Sequence, residues 1–230
     1  METPKPKSLS ALEIALVMVV TFFIFLFLSV LSLLTLGDAP TLIISELLIL
    51  AVPLLYLLLK RIDIKSYVKI DLKAKFILIG IGFGLLLLLL NLTISGLLTY
   101  IFGTSQTIEQ SNQLLADLST TPLGLLAVAT SLALAGICEE FAFRGFLQNS
   151  IFKRLENRPK YSKYAFAIAV LISALVFGLF HFDPQFVYTI GAFITGLALG
   201  YIYHRWNFVT SATAHASMNL IVIALILLAI

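Results

Sequence analysis

The stretch Phe76–Phe102, FILIGIGFGLLLLLLNLTISGLLTYIF, carries no charged residue, and its reading decides the class of fold. A helix needs about 20 consecutive apolar residues to cross the hydrocarbon core of a bilayer, so this run is long enough by itself. Working outward from it, six further runs qualify or nearly so, at approximately 10–36, 41–59, 122–147, 164–182, 186–204 and 207–229. Backbone polar groups in lipid must be paired within the spanning segment, which favours helices, and the absence of period-two alternation argues against a barrel. The expected architecture is all-α. It is a single integral membrane domain over residues 1–230, a polytopic bundle of about seven transmembrane helices, or eight if the polar segment 103–121 forms a short surface helix. Composition agrees: 60% of residues are hydrophobic and 12% charged, against about 25% charged in soluble domains. The first apolar run is too long for a signal-peptide core and no small-residue cleavage site follows it, so it reads as a retained span. Cys138 is the only cysteine, which excludes an internal disulfide.

The formal net charge of +3 is unevenly placed. Lys5 and Lys7 precede the first span, and Lys60, Arg61, Lys65, Lys69, Lys73 and Lys75 lie between the second and third. Lys153, Arg154, Arg158, Lys160 and Lys163 lie between the fourth and fifth, and Arg205 follows the sixth. Seven alternating spans put all four groups on one face, opposite loops holding Asp38, Glu109, Asp117 and Asp183. The positive-inside rule then places the N-terminus in the cytoplasm and the C-terminus outside a cell membrane. Nothing in this distribution signals a nucleic-acid partner; the expected surroundings are the lipid bilayer. Thr35–Pro40 reads as a tight turn. Pro53 should kink the second span, and Pro184 should end the fifth.

Ionisable residues within spans are costly, and each is a functional hypothesis. The fourth span contains Cys138-Glu139-Glu140-Phe141-Ala142-Phe143-Arg144-Gly145. Glu140 and Arg144 share one helical face at i, i+4, so they should pair. Glu139 points about 100° away and is free to face a cavity as a general base. The bland alternative is a buried ion-pair cluster that only fixes packing. The fifth span ends on Phe177 and His181, again at i, i+4, where a lone histidine is more often a packing residue than a catalyst. The seventh contains His215 and Asn219 at i, i+4, flanked by Ala212, Ala214, Ala216 and Ser217, which permit close helix approach. That pair alone could be an interhelical hydrogen-bonded clasp. Glu13, Glu46 and His204 read as interfacial residues. Cys138 as a nucleophile is disfavoured, because it faces away from Glu139 and has acids for neighbours.

Depth links these residues. If the fourth and fifth spans turn near Arg158–Lys160, Glu139 and His181 stand at similar heights, about 30 Å along their helices from the turn. His215 lies about 15 Å past the turn at Arg205. All three are expected to meet in the cytoplasmic half of the membrane.

The run Glu139–Leu147, EEFAFRGFL, resembles the first motif of the CPBP intramembrane protease family, the group of type II CAAX prenyl endopeptidases and bacteriocin-processing or self-immunity proteins. Phe177–His181 resembles its second motif and His215–Asn219 its third, so the family-like core covers about residues 121–223; residues 1–120 hold no motif of that kind. The resemblance implies an intramembrane endopeptidase acting on a peptide or protein substrate, with C-terminally prenylated proteins among the family's substrates. It implies that Glu139 and His181 activate water, that His215 and Asn219 stabilise the oxyanion, and that Glu140 and Arg144 support the site. The family is often labelled metalloprotease. Glu139, His181 and His215 supply enough donors for one divalent metal such as zinc with an open position, although no His-Glu-x-x-His pattern is present. A metal-dependent and a metal-free, glutamate-dependent route both stay open. A non-enzymatic self-immunity or scaffold protein of the same fold is the alternative reading. A small transporter is a third, for which the expected paired repeats are missing.

Overall fold

Helix α1 (Ala11–Leu36) starts at a capping box: the Ser10 hydroxyl accepts the Glu13 N–H, and the Glu13 carboxylate accepts the Ser10 N–H. Gly37 (φ 81°) reverses the chain into α2 (Asp38–Leu59). The expected six-residue turn shrinks to this one residue because glycine reaches positive φ without a Cβ clash. Asp38 and Pro40 then fall in the first turn of α2, where both are favourable. The computed structural model describes residues 8–228; the basic residues Lys5 and Lys7 and the final residue of the seventh expected span lie outside them. After α3 (Ile64–Tyr67) come α4 (Ala74–Phe102), α5 (Gln106–Leu118) and α6 (Pro122–Glu140). A π-helical segment (Phe141–Gln148) continues α6 directly into α7 (Asn149–Glu156). Helices α8 (Ala165–Phe180), α9 (Val187–Arg205) and α10 (Phe208–Leu228) complete the chain. No strand occurs among the described residues.

Seven helical runs are long and apolar enough to cross a membrane. The chain is a multi-pass membrane protein, and Leu12, Phe27, Leu78 and Leu89 stand exposed on its flanks, as lipid-facing side chains do. The fourth span differs from the sequence reading. The fourth run extends from Pro122 to Glu156, so Lys153 and Arg154 sit on a helix rather than in a loop. Charge stopped the hydropathy count there, yet α7 continues the helix as an amphipathic turn pair. The polar segment 103–121 forms the short helix α5, with Ser105 as its N-cap. Pro53 lies inside α2, which runs through it. Helix α8 stops at Phe180, before Pro184.

Helix α10 packs on α4, α6 and α9, and small residues set how closely. A Cβ added at Gly80 would come within 2.6 Å of Thr213, and one at Gly84 within 2.7 Å of Ser217. At Gly136 it would stand 2.4 Å from the Ala216 backbone nitrogen, so α6 and α10 touch backbone to backbone. Gly136→Val is therefore expected to push apart the helices carrying Glu139 and His215. A loss of about 1–3 kcal/mol is expected from overpacking, read as a lower unfolding temperature in detergent. Gly82→Ala, with open space around it, serves as the neutral control.

The basic segment between α2 and α4 does not stay outside the bundle. Tyr67 and Val68 are buried. The Asn149 side chain donates to the Tyr67 carbonyl (2.6 Å), Tyr203 Oη donates to the Val68 carbonyl (3.2 Å), and Tyr67 Oη lies 2.6 Å from Ser150 Oγ. Gly145 leaves room for the Val68 side chain, whose nearest methyl would be 2.6 Å from an added Cβ. These contacts close the base of the bundle beneath the polar cluster.

Candidate active site

Glu139 and Glu140 end α6, and the backbone widens into the π-helical segment immediately after them. Such π turns frequently accompany functional sites. A straight α-helix was the sequence expectation; the wider turn instead aims Arg144 and Gln148 at α9. Arg144 Nη2 donates to the Gly196 carbonyl (3.3 Å) and Gln148 Nε2 to the Gly200 carbonyl (2.9 Å). A Cβ at Gly200 would meet Gln148 Oε1 at 2.7 Å, so the Gln148 side chain would have to shift.

The expected Glu140–Arg144 pair is present, with Arg144 Nη1 3.1 Å from Glu140 Oε1 and both side chains fully buried. Arg144 also lies over the Phe177 ring, 4.4 Å from its centroid, a cation–π contact. Glu140 Oε1 in turn meets His215 Nδ1 at 3.3 Å. Glu140 is thus the shared partner of a guanidinium and an imidazole.

Glu139 occupies the space between two histidines. Its Oε1 is 3.8 Å from His181 Nε2 and its Oε2 is 3.7 Å from His215 Nε2. Both separations exceed hydrogen-bond range, so the carboxylate keeps its lone pairs for a third party. Each histidine is held by its other nitrogen: His181 Nδ1 is 2.8 Å from the Phe177 carbonyl, and His215 Nδ1 faces Glu140. That leaves Nε2 of each ring facing Glu139. The side chains of Glu139, His181 and His215 are 9%, 16% and 6% exposed, so all three are largely withdrawn from solvent.

The three side chains come from α6, the end of α8 and α10, and they converge. Glu139 lies midway along the run Pro122–Glu156, and His181 caps the end of α8 away from the basic turn. Asn219 stands apart: its Nδ2 points at the Leu132 carbonyl (3.5 Å), about two turns from Glu139 along α6. One turn of α10 carries it past His215, and no hydrogen bond links it to the Glu/His cluster among the described residues. As for a metal, no group of three or more His, Cys, Asp or Glu among the described residues is arranged to hold one.

Residues 121–221 match the family model described as Type II CAAX prenyl endopeptidase Rce1-like. The segment is Rce1-like. That agrees with the CPBP resemblance of the motifs in the same stretch. No curated protein and no solved structure gives a significant match. All of the Glu/His cluster and Arg144 fall within the Rce1-like segment.

Two groups of residues around the cluster escaped the sequence reading. Glu46, on α2 and outside the Rce1-like segment, lies close enough to Glu139 for their charges to interact, and its Oε2 is buried without a partner. Its only sequence signal was a lone acid in an apolar span, which an assignment near the outer surface explained away. The second group is the turn after His181. Thr189 Oγ1 donates to the His181 carbonyl (3.1 Å) and accepts the Asp183 N–H (2.9 Å), and Asp183 Oδ2 accepts the Tyr188 N–H (3.1 Å). Tyr188 packs edge-on against the His181 ring, with centroids 5.1 Å apart. Burial pushes the Asp183 carboxyl up, but the Tyr188 N–H and the Ser105 hydroxyl outweigh it and hold Asp183 below the usual carboxylate range.

This knot fixes where His181 sits. Asp183→Ala is expected to lower turnover by up to about 10²-fold through misplacement of His181, with Thr189→Val acting in the same direction. Because its folded pKa is depressed, ionised Asp183 stabilises the protein above its unfolded value of about 3.9, and that contribution is lost as pH falls through the lower folded value. The stability gap between wild type and Asp183→Asn should therefore be full at pH 7 and close below about pH 3.9. Equal gaps at pH 7 and pH 3 would remove the charge from the account.

Proposed function

We propose that the protein is an intramembrane endopeptidase in which Glu139 activates the attacking water. The observation that carries this reading is the position of the Glu139 carboxylate between two outward-facing Nε2 atoms, at 3.7 and 3.8 Å. A water bound there donates one hydrogen to Glu139. As its oxygen attacks the scissile carbonyl carbon, that proton passes to the carboxylate. The developing oxyanion needs a hydrogen-bond donor. His215 serves when Nε2 is protonated, with its Nδ1–H held by Glu140 and the Glu140 charge balancing the ring. His181, fixed through Nδ1 by the Phe177 carbonyl, relays the proton taken by Glu139 to the leaving amine. The C–N bond breaks, and the products are a carboxylate and an amine. Arg144 positions Glu140, and through it His215. Asn219 points its side chain at the Leu132 carbonyl and is given no step here.

The family match and the apolar spans that carry the cluster support a substrate that reaches the site from the bilayer, of which a C-terminally prenylated CAAX protein is the natural example. The test is reconstitution into liposomes with a prenylated CAAX peptide and its unprenylated twin. Release of the C-terminal tripeptide from the prenylated peptide alone is the expected result. Equal cleavage of both would reduce the reading to a peptidase without lipid preference. No cleavage of either by folded protein would leave the self-immunity or scaffold alternative.

A further inference from the structure

Helix α1 packs along α2 and meets α7, but it diverges from α8. The gap is a groove of about 680 Å³. Its walls are Ile14, Met18 and Phe22 from α1 against Ile151 from α7 and Ile172 and Val176 from α8. At one end the Phe22 and Phe180 rings close it edge-to-face, centroids 5.2 Å apart. At the other end stands Arg154, the one charged residue of the lining. Arg154 belongs to the α7 end that carries the basic turn, and its Nη1 donates to the Leu9 carbonyl (3.3 Å). That bond fixes the guanidinium at the groove mouth and leaves most of its N–H donors unused. Among the described residues no carboxylate pairs with it.

A gap with apolar walls does not hold water, and left empty it forfeits dispersion contacts along its whole length. From Ala11 to Phe23 on α1, and from Ile168 to Phe180 on α8, the walls run about 18 Å. That is close to the depth of one leaflet, half of the roughly 30 Å hydrocarbon core. An acyl chain fits that length, and an anionic headgroup at its end would meet a guanidinium, which pairs with phosphate by two parallel hydrogen bonds.

We propose that this groove is a binding site for one anionic glycerophospholipid, with an acyl chain along α1 and α8 and its phosphate on Arg154. The site is separate from the Glu/His cluster, from which the Phe180 and Phe143 rings (5.0 Å apart) wall it off. Basic residues at the cytoplasmic ends of spans are suited to such headgroups.

The experiment is native mass spectrometry of the full chain purified from nanodiscs containing phosphatidylglycerol and phosphatidylcholine in equal parts. Wild type should retain phosphatidylglycerol in preference to phosphatidylcholine. Arg154→Gln should retain about five-fold less of it. Ala15→Phe, which fills the groove from an exposed position, should lose it with Arg154 intact. Equal retention of the two lipids by wild type, or wild-type retention by both variants, would overturn the proposal. So would displacement of the phospholipid by farnesol at equal concentration, which would make the groove an isoprenoid site. None of these readings depends on peptide cleavage.

Discussion

A Glu139→Gln protein is expected to fold normally and to lose peptide cleavage by about 10²–10⁴-fold, the usual contribution of a general base. The substitution is nearly isosteric, and Glu139 makes no side-chain hydrogen bond among the described residues, so little packing is disturbed. What disappears is the proton acceptor between His181 and His215. The cleanest measurement is tripeptide release in liposomes, alongside thermal unfolding of the same preparation. A folded Glu139→Gln protein with wild-type cleavage would end the glutamate-activated reading. His181→Ala and His215→Ala should also lower turnover. His215→Ala should cost stability as well, because it strips Glu140 of one of its two partners.

The largest effect on stability is expected from Arg144→Ala. Arg144 and Glu140 are fully buried, and the guanidinium additionally holds the Gly196 carbonyl and covers the Phe177 ring. Removing one member of a buried pair leaves the other charge uncompensated, a loss of about 3–5 kcal/mol. The double replacement Arg144→Leu with Glu140→Gln removes both charges and should recover most of that loss. It should not recover activity, since His215 would then have no carboxylate behind Nδ1. Arg144→Lys keeps the charge but gives up the planar contact with Phe177 and the fork geometry, so an intermediate stability is expected. These variants are read together by unfolding in detergent. A single Arg144→Ala as stable as wild type would mean that Glu140 is protonated or solvated, and the ion pair would have no structural role.

Much of the site was visible in the sequence because lipid makes polarity conspicuous. A carboxylate or imidazole in an apolar run has few reasons to be there, so Glu139, Glu140, Arg144, His181 and His215 stood out without any contact information. The i, i+4 spacing also gave the Glu140–Arg144 pair, and the wider π turn left it intact. Asn219 shows the weakness of the same logic. Its spacing from His215 put it on the same face, but one turn along α10 was enough to hand it to the Leu132 carbonyl. Glu46 shows the converse: a residue judged bland from its position along α2 lies beside Glu139, because α2 packs against α6.

Hydrophobicity and charge along the chain determined the solvent, the number of spans and the identity of the residues worth suspecting, since each of these depends on composition within one helix. What the sequence left undetermined was set by distances between helices. Tertiary packing decided that Gly136 brings α6 and α10 into backbone contact, that Tyr67 and Val68 are buried in the bundle, and that Thr189 and Asp183 fix His181. A one-dimensional pattern fixes which face of a helix is polar, but not which neighbour that face meets or at what height, because those depend on small-residue contacts between segments far apart in the chain.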